Sequence, residues 1–174
     1  LWEYDSALRY INGALQLATL ILNETKNVSI KKTTEGSIAT CYRRIGNVYE
    51  YHGDYSKALE YHFRALKLDE ELGNKNGIAA SLSSIGNVYQ HQGDYAKALE
   101  YHFKALKLDK ELGNKNGIAA NLNNIGLIYE YQGYYVKALD YYFKALKLNE
   151  ELGSKLDIGA IFNNIGNVYY FQGN

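Results

Sequence analysis

Four histidines, His52, His62, His91 and His102, and one cysteine, Cys41, are the residues that could hold a metal ion or supply a nucleophile in this chain. His62 and His102 stand 40 residues apart in the same surroundings, Ala-Leu-Glu-Tyr-His-Phe, and the third copy of those surroundings carries Tyr142 instead. An imidazole that alternates with a phenol ring is expected to pack, and two imidazoles one repeat apart lie too far from each other to share an ion. His52 and His91 are expected in solvent at helix ends, and Cys41 shares a column with Ser81, Asn121 and Ile161, so a structural or incidental role is expected for all three. One cysteine excludes an intrachain disulfide framework and a cysteine-based zinc site. No nucleophile and base, phosphate-cradling glycine loop or dinucleotide fingerprint is present. Asp69, Glu70 and Glu71 form a charge run at a helix end, expected on a solvated face. Asn23-Glu-Thr and Asn27-Val-Ser match the glycosylation acceptor pattern, a triplet that arises readily by chance. The expectation is a chain that is not an enzyme and binds no metal or cofactor.

The elements that would position any binding residues come from a repeat. Gly-Asn-Val-Tyr occurs at Gly46, Gly86 and Gly166, with Gly126-Leu-Ile-Tyr between the last two, a period of 40 residues. Residues 71–80 and 111–120 are the same ten letters. A fixed period of this length marks units that bury a core only by stacking on their neighbours. Leu82, Ile85, Gly86 and Tyr89 fall at i, i+3, i+4 and i+7, which predicts a first helix, A. Tyr95, Ala98, Leu99, His102, Ala105, Leu106 and Leu112 carry a similar stripe along a longer helix, B. Between them Gly93 can end A in the left-handed conformation and Asp94 can cap B, as Gly53 and Asp54 do one unit earlier. The third unit reads Gly133-Tyr134-Tyr135 and loses that cap. Gly73, Gly113 and Gly153 end the B helices, and Thr34, Asn74, Asn114 and Ser154 are capping types for the next A helix, with Ser37, Gly77, Gly117 and Asp157 as the alternative column.

Composition agrees. The 174 residues carry 19 Lys plus Arg against 19 Asp plus Glu, so no field of one sign would steer polyanions to the surface, and no nucleic-acid partner is expected. No apolar run approaches the length of a membrane span, so no membrane partner is expected either. There are 18 tyrosines and no proline, which suits helices stopped by glycine better than a loop-rich or all-β fold. No targeting segment is seen, and the compartment stays open. The chain does not begin with Met and is expected to be a piece of a longer protein.

The pattern of Gly86, Tyr89, Gly93, Tyr95, Ala98, Ala105 and Leu106 resembles the tetratricopeptide repeat, in register over nearly the whole chain. The usual repeat has 34 residues and a proline after helix B; here Glu70, Lys110 and Glu150 continue the helix, and the 40-residue period looks like the subclass of kinesin light chains, Pins-type adaptors, Rap regulators and bacterial signalling sensors. The resemblance implies an all-α, right-handed superhelical solenoid of antiparallel pairs, about eight helices in one array. Its expected parts are a lone B helix with an 11-residue insertion over residues 3–33, complete units at 34–73, 74–113 and 114–153, and a lone A helix at 154–174. Tyr4 aligns with Tyr55 at 51 residues, the period plus 11; the insertion either lengthens the B helix by about 16 Å or forms a loop from Asn23 to Thr33. Gln172-Gly173-Asn174 matches a turn toward a next B helix, so Phe162, Ile165, Val168 and Tyr169 are expected to lack cover, and uncapped ends could associate end to end.

The resemblance also implies that helix A lines a concave wall. Its inward columns are Arg43, Ser83, Asn123 and Asn163; Arg44, Ser84, Asn124 and Asn164; Asn47, Asn87, Leu127 and Asn167; and Glu50, Gln90, Glu130 and Tyr170. Each primary amide offers a donor and an acceptor, so a ladder of asparagines can grip the main chain of an extended peptide, as matching asparagines do in the light-chain and Pins-type proteins. The same asparagines also suit a solvated face or contacts between repeats. Tyr51, His91, Tyr131 and Phe171, one column on, are candidate pockets for side chains, and Arg43 and Arg44 could favour an acidic residue or a terminal carboxylate, which Glu50 and Glu130 nearby would oppose. The expected function is a protein-interaction module with a peptide groove. The alternative is a spacer or self-assembly element, or a regulatory segment of a larger signalling protein.

Overall fold

The computed structural model describes residues 2–173, with side chains from residue 6 onward; the Tyr4 side chain and Asn174 lie outside the described residues. All elements among them are α-helices: α1 Trp2–Glu24, α2 Val28–Tyr51, α3 Tyr55–Leu72, α4 Lys75–His91, α5 Tyr95–Leu112, α6 Lys115–Tyr131, α7 Tyr135–Leu152 and α8 Lys155–Gln172. They form two compact units, Leu1–Val88 and Tyr89–Asn174.

The punctuation works as its chemistry demands. Gly113, at φ 68°, closes α5 in the left-handed region, where a side chain would be strained, and its N–H donates to the Lys110 carbonyl at 3.2 Å. Asp54 and Asp94 cap α3 and α5 by accepting the Lys57 and Lys97 backbone N–H groups at 3.1 and 3.2 Å. Tyr134, in the third copy of that turn, makes no side-chain cap; its ring meets Tyr129 edge-on at 6.3 Å and sits beneath the Lys137 ammonium.

The insertion is helical but sits elsewhere than expected. Aligned on α3, α1 runs three residues further, the connection has three residues instead of two, and α2 starts seven residues earlier than α4 does, which accounts for 3 + 1 + 7 = 11. Most of the extra length therefore belongs to an A helix. Asn27 caps it, accepting from Ser29 N at 2.9 Å and Ile30 N at 3.2 Å. Thr34, expected as the cap, is an interior residue of α2, 8% exposed, whose hydroxyl donates to the Ile30 carbonyl.

In the first unit α2 packs on α1 and α3, with Ile38, Ala39, Ile45, Ala58, His62 and Ala65 buried. In the second unit α6 packs between α5 and α7, and α8 lies against α7 and also touches α6. Ile125, Ala138, Tyr142, Ala145, Ile161 and Val168 form its core, where each fully buried large side chain contributes about 1.5–3 kcal/mol. Glycine on helix A makes room for the aromatic column of helix B: a Cβ at Gly126 would stand 2.7 Å from the Tyr142 ring, and one at Gly46 would stand 2.5 Å from the His62 ring. Of the four α8 residues expected to lack cover, Ile165 and Val168 are buried, while Phe162 and Tyr169 are exposed.

Candidate functional site

The polar residues divide into those that hold the repeat together and those that face outward. Asp69 and Asp109, the last inward residues of α3 and α5, are 0% and 3% exposed, so Asp69 does not sit on a solvated face. A helix places Asp69 about three turns from Ala58 and one turn from Ala65 on the same stripe, both buried. Each carboxylate accepts from a capping amide at 2.7 Å, Asn74 Nδ2 for Asp69 and Asn114 Nδ2 for Asp109, while the same caps accept the Gly77 and Gly117 N–H groups at 3.2 Å. A Cβ on either glycine would collide with the carboxylate.

The two carboxylates take different second partners. Arg43, a predicted site residue, forms an ion pair with Asp69 and donates to Thr40 Oγ1 at 3.0 Å, so its guanidinium is committed to the fold. Asp109 instead accepts from Asn121 Nδ2 at 2.9 Å, and Asn121 Oδ1 meets His102 Nδ1 at 3.1 Å. Burial pushes the Asp109 carboxyl above its ordinary range, with the two amide bonds pulling the other way. Burial likewise lowers the His102 pKa, partly offset by Asn121. This network was missed because Asn121 shares a column with Cys41, Ser81 and Ile161, which have no common chemistry. The signal that could have found it is glycine in the first turn of two helices, where alanine would serve unless a buried group stood opposite.

The column expected at the groove edge turns inward as well. Gln90 and Glu130 are buried, and Glu130 Oε2 accepts from the Tyr142 hydroxyl at 2.5 Å. Burial first, and that hydrogen bond second, raise the Tyr142 pKa far above the ordinary phenol range. Glu50 comes within 3.8 Å of His62 Nε2. Position 130 lies one turn beyond Gly126, on the stripe that faces helix B, which is why it cannot also face a groove.

The remaining predicted residues fall out by unit. In the first unit Arg44 is exposed and walls a cavity of about 520 Å³ with Tyr10, Ile11 and Ala14 of α1 and Thr40 and Cys41 of α2. Asn47 is exposed and Asn87 half-buried. In the second unit His91 is exposed at the end of α4. Tyr131 stacks on Tyr95 at 6.0 Å, and Phe171 stacks on Tyr135 at 6.4 Å, so within the second unit these rings join each helix A to the helix B before it. Asn123, Asn124 and Asn164 are half-buried, and Asn163 and Asn167 are exposed. Asn164 Nδ2 donates to Asn123 Oδ1 at 3.1 Å, a link between α8 and α6 that leaves the Asn123 amino group and the Asn164 carbonyl.

Beside that link runs a cleft of about 180 Å³ between α6 and α8. Asn116, Asn123 and Asn124 form one wall, Asp157 and Ala160 the other, and Asn149 with Ile161 the base. Asn149, 5% exposed, spends its Nδ2 on the Ala145 carbonyl at 3.1 Å, and Asp157 accepts from the Ser154 hydroxyl at 2.5 Å. The cleft thus presents amide donors and acceptors among small alanine side chains, Ala119, Ala120 and Ala160. Among the described residues there is no cluster of His, Cys, Asp and Glu suited to a metal ion, and no helix is long and apolar enough to cross a membrane.

Comparison with known proteins agrees with this architecture. Family models of the tetratricopeptide repeat match residues 39–72 and 77–151. Among solved structures, BtubC (BKLC) from P. vanneervenii superposes with a TM-score of 0.80 at 20% identity, over 97% of this chain and 66% of that one. RapI in its apo form gives 0.76 at 24% identity, over 99% of this chain and 45% of that one. Aspartyl phosphate phosphatase F from Bacillus subtilis gives 0.76 at 17% identity, over 83% of this chain and 39% of that one. These are likenesses of fold, an α-solenoid, and the chain spans less than two thirds of each of those proteins. No curated protein sequence matches the chain.

Proposed function

Because this chain belongs to the tetratricopeptide-repeat family, an α-solenoid fold that works through protein–protein contact, we propose that its asparagine-bearing helix face binds an extended peptide segment of a protein partner. The observation that carries this reading is the α6–α8 cleft, where Asn123, Asn124 and Asn149 bring amide groups together around a space of about 180 Å³. That space is well under the roughly 300–1,000 Å³ of small-molecule pockets, so it suits a main-chain segment with a small side chain better than a compact organic ligand. Three or four amide contacts at about 0.5–1.5 kcal/mol each give about 2–6 kcal/mol. A micromolar complex needs about 8 kcal/mol, so burial of the peptide's side chains supplies the remainder.

The test is a peptide-display selection on the wild-type chain and on Asn124→Ala/Asn164→Ala. Enrichment of a shared motif on wild type alone, with circular dichroism and melting of the variant near wild type, is the expected result. Equal capture by the double variant would sink the groove assignment. A second reading, self-association through α8, is favoured by the exposure of Leu156, Phe162 and Phe171 on that helix. It predicts concentration-dependent light scattering that Phe162→Glu reduces; a monomer at every concentration removes it.

A further inference from the structure

The B helices of the second unit carry a different surface. Between α5 and α7 lies a groove of about 530 Å³ whose floor is Leu106 and Leu122 and whose walls are Phe103 and Tyr141, edge to face at 6.3 Å. Phe103 is 38% exposed, so an aromatic edge is available to a partner while its body packs in the groove. Three lysines, Lys107, Lys110 and Lys144, rim it against one glutamate, Glu111, a balance of 3 − 1 = +2. Lys144 is engaged with Asp140 at 2.6 Å; among the described residues no ion pair holds Lys107 or Lys110.

The first unit supplies an internal control. The groove between α1 and α3, about 500 Å³, is rimmed by Arg64 and Lys67 against Glu35 and Glu71, a balance of 2 − 2 = 0, and carries Thr19 where the second unit has Lys110. Along the chain, residues 65–80 and 105–120 differ at one position, where Glu70 becomes Lys110, and the third repeat has Glu150 there. In two copies otherwise identical over that stretch, the single change is a charge reversal at the rim of an apolar groove.

We propose that the α5–α7 groove is a second docking surface, separate from the asparagine face, and that its partner is an acidic amphipathic helix: apolar side chains at i, i+3, i+4 and i+7 pack against Phe103 and Tyr141 over the leucine floor, and flanking carboxylates meet Lys107 and Lys110. Complementary charge at such a rim selects the partner and raises its association rate, while the apolar floor holds it. Anchors at i to i+7 span about two helical turns, which sets a modest affinity.

A fluorescein-labelled 16-residue helix with leucine and phenylalanine at those positions and glutamate on its flanks, titrated by anisotropy into the 174-residue chain, is the probe, beside a peptide of the same apolar face with lysine flanks. The expected result is saturable binding of the acidic peptide, weakened by added salt, and at least tenfold weaker binding of the lysine peptide. Lys110→Glu, which restores the residue of the neighbouring units and so leaves the fold intact, should weaken the acidic peptide about tenfold; Asn124→Ala/Asn164→Ala should leave it unchanged. No saturable binding, equal binding of both peptides, or indifference to Lys110→Glu would overturn the proposal. So would a change in sedimentation on Lys110→Glu without an effect on the peptide, which would make the groove a contact between copies of the chain.

Discussion

At the α5–α6 junction a buried carboxylate, Asp109, accepts from Asn114 and Asn121; one repeat later, at the α7–α8 junction, Asn149 holds the same place and donates to the Ala145 carbonyl instead. The carboxylate has not vanished. It reappears as Asp157, at the position of Gly117, where it accepts from Ser154, the cap equivalent to Asn114. Once position 149 no longer carries a charge, a side chain at 157 has room, and Ile161 can replace Asn121. Four positions have changed as a block, because each side chain was shaped by the other three. The cleft between α6 and α8 is lined by three of them, Asn149, Asp157 and Ile161. The candidate site is therefore open where the internal network has been dismantled, and the equivalent atoms next door are consumed in holding α5 to α6.

This comparison is most directly broken by moving one residue of the later junction into the earlier one. Asn121→Ile should destabilise the chain by about 3 kcal/mol, since it strands a buried carboxylate oxygen and the His102 ring nitrogen. Adding Asp109→Asn should recover about half of that loss, because an amide at 109 can donate to its own helix as Asn149 does. Urea unfolding followed by circular dichroism measures both; additive costs would show that the block is coincidence.

The glycine column gives the next contrast. Gly126→Ala places a methyl 2.7 Å from the Tyr142 ring and 3.3 Å from the Ala138 carbonyl, and overpacking of that kind costs about 1–3 kcal/mol. Gly166, in the same column, has nothing within 4 Å, so Gly166→Ala should be neutral or stabilising by up to about 1 kcal/mol through helix propensity. Melting temperatures that move the same way in both variants would contradict the packing account.

Helix order, the glycine stops and the aspartate caps were legible because each rests on residues adjacent in sequence. Inward and outward polar residues were harder, since the letters are the same for both. Asp69 looks solvated beside Glu70 and Glu71, yet the stripe of His62, Ala65 and Asp69 runs at i, i+3 and i+7 and predicts its burial. Glu130 is decided the same way by Gly126, one turn before it. The start of α2 was hidden for another reason: residues 28–34 carry no apolar stripe, and Asn27, whose side chain begins the helix, was legible only as part of a glycosylation triplet. The site residues were nameable from the sequence, but which asparagines share a cleft depends on Asn149 and Asp157, and those follow from the exchange between repeats.

A pH titration sharpens the contrast between His102 and its counterpart Tyr142. Burial holds the His102 pKa below 6.5, so between that lowered value and 6.5 the unfolded chain binds more protons than the native one. Stability from this group is complete above 6.5 and is lost as pH falls through the native pKa, whereas Tyr142 stays neutral throughout. The His102 ring resonances should titrate below 6.5 in NMR, with unfolding midpoints dropping over the same window. A midpoint at or above 6.5 would place the imidazole in water and contradict the buried network.

The smallest expected effect concerns the turn that differs from its siblings. Asp54 and Asp94 cap α3 and α5, while Tyr134 leaves the first turn of α7 without a side-chain acceptor. Tyr134→Asp should supply one, worth about 0.5–1 kcal/mol. It also removes the edge contact with Tyr129 and the ring beneath Lys137, each worth a similar fraction of a kcal/mol at an exposed site. The net change in melting temperature should therefore lie between none and a fall of a few degrees. Comparison with Tyr134→Ala separates the two contributions: that variant loses the ring without gaining the cap, and it should melt below both wild type and Tyr134→Asp. If the alanine and aspartate variants melt together, the cap contributes nothing at this turn and the ring contacts account for its stability.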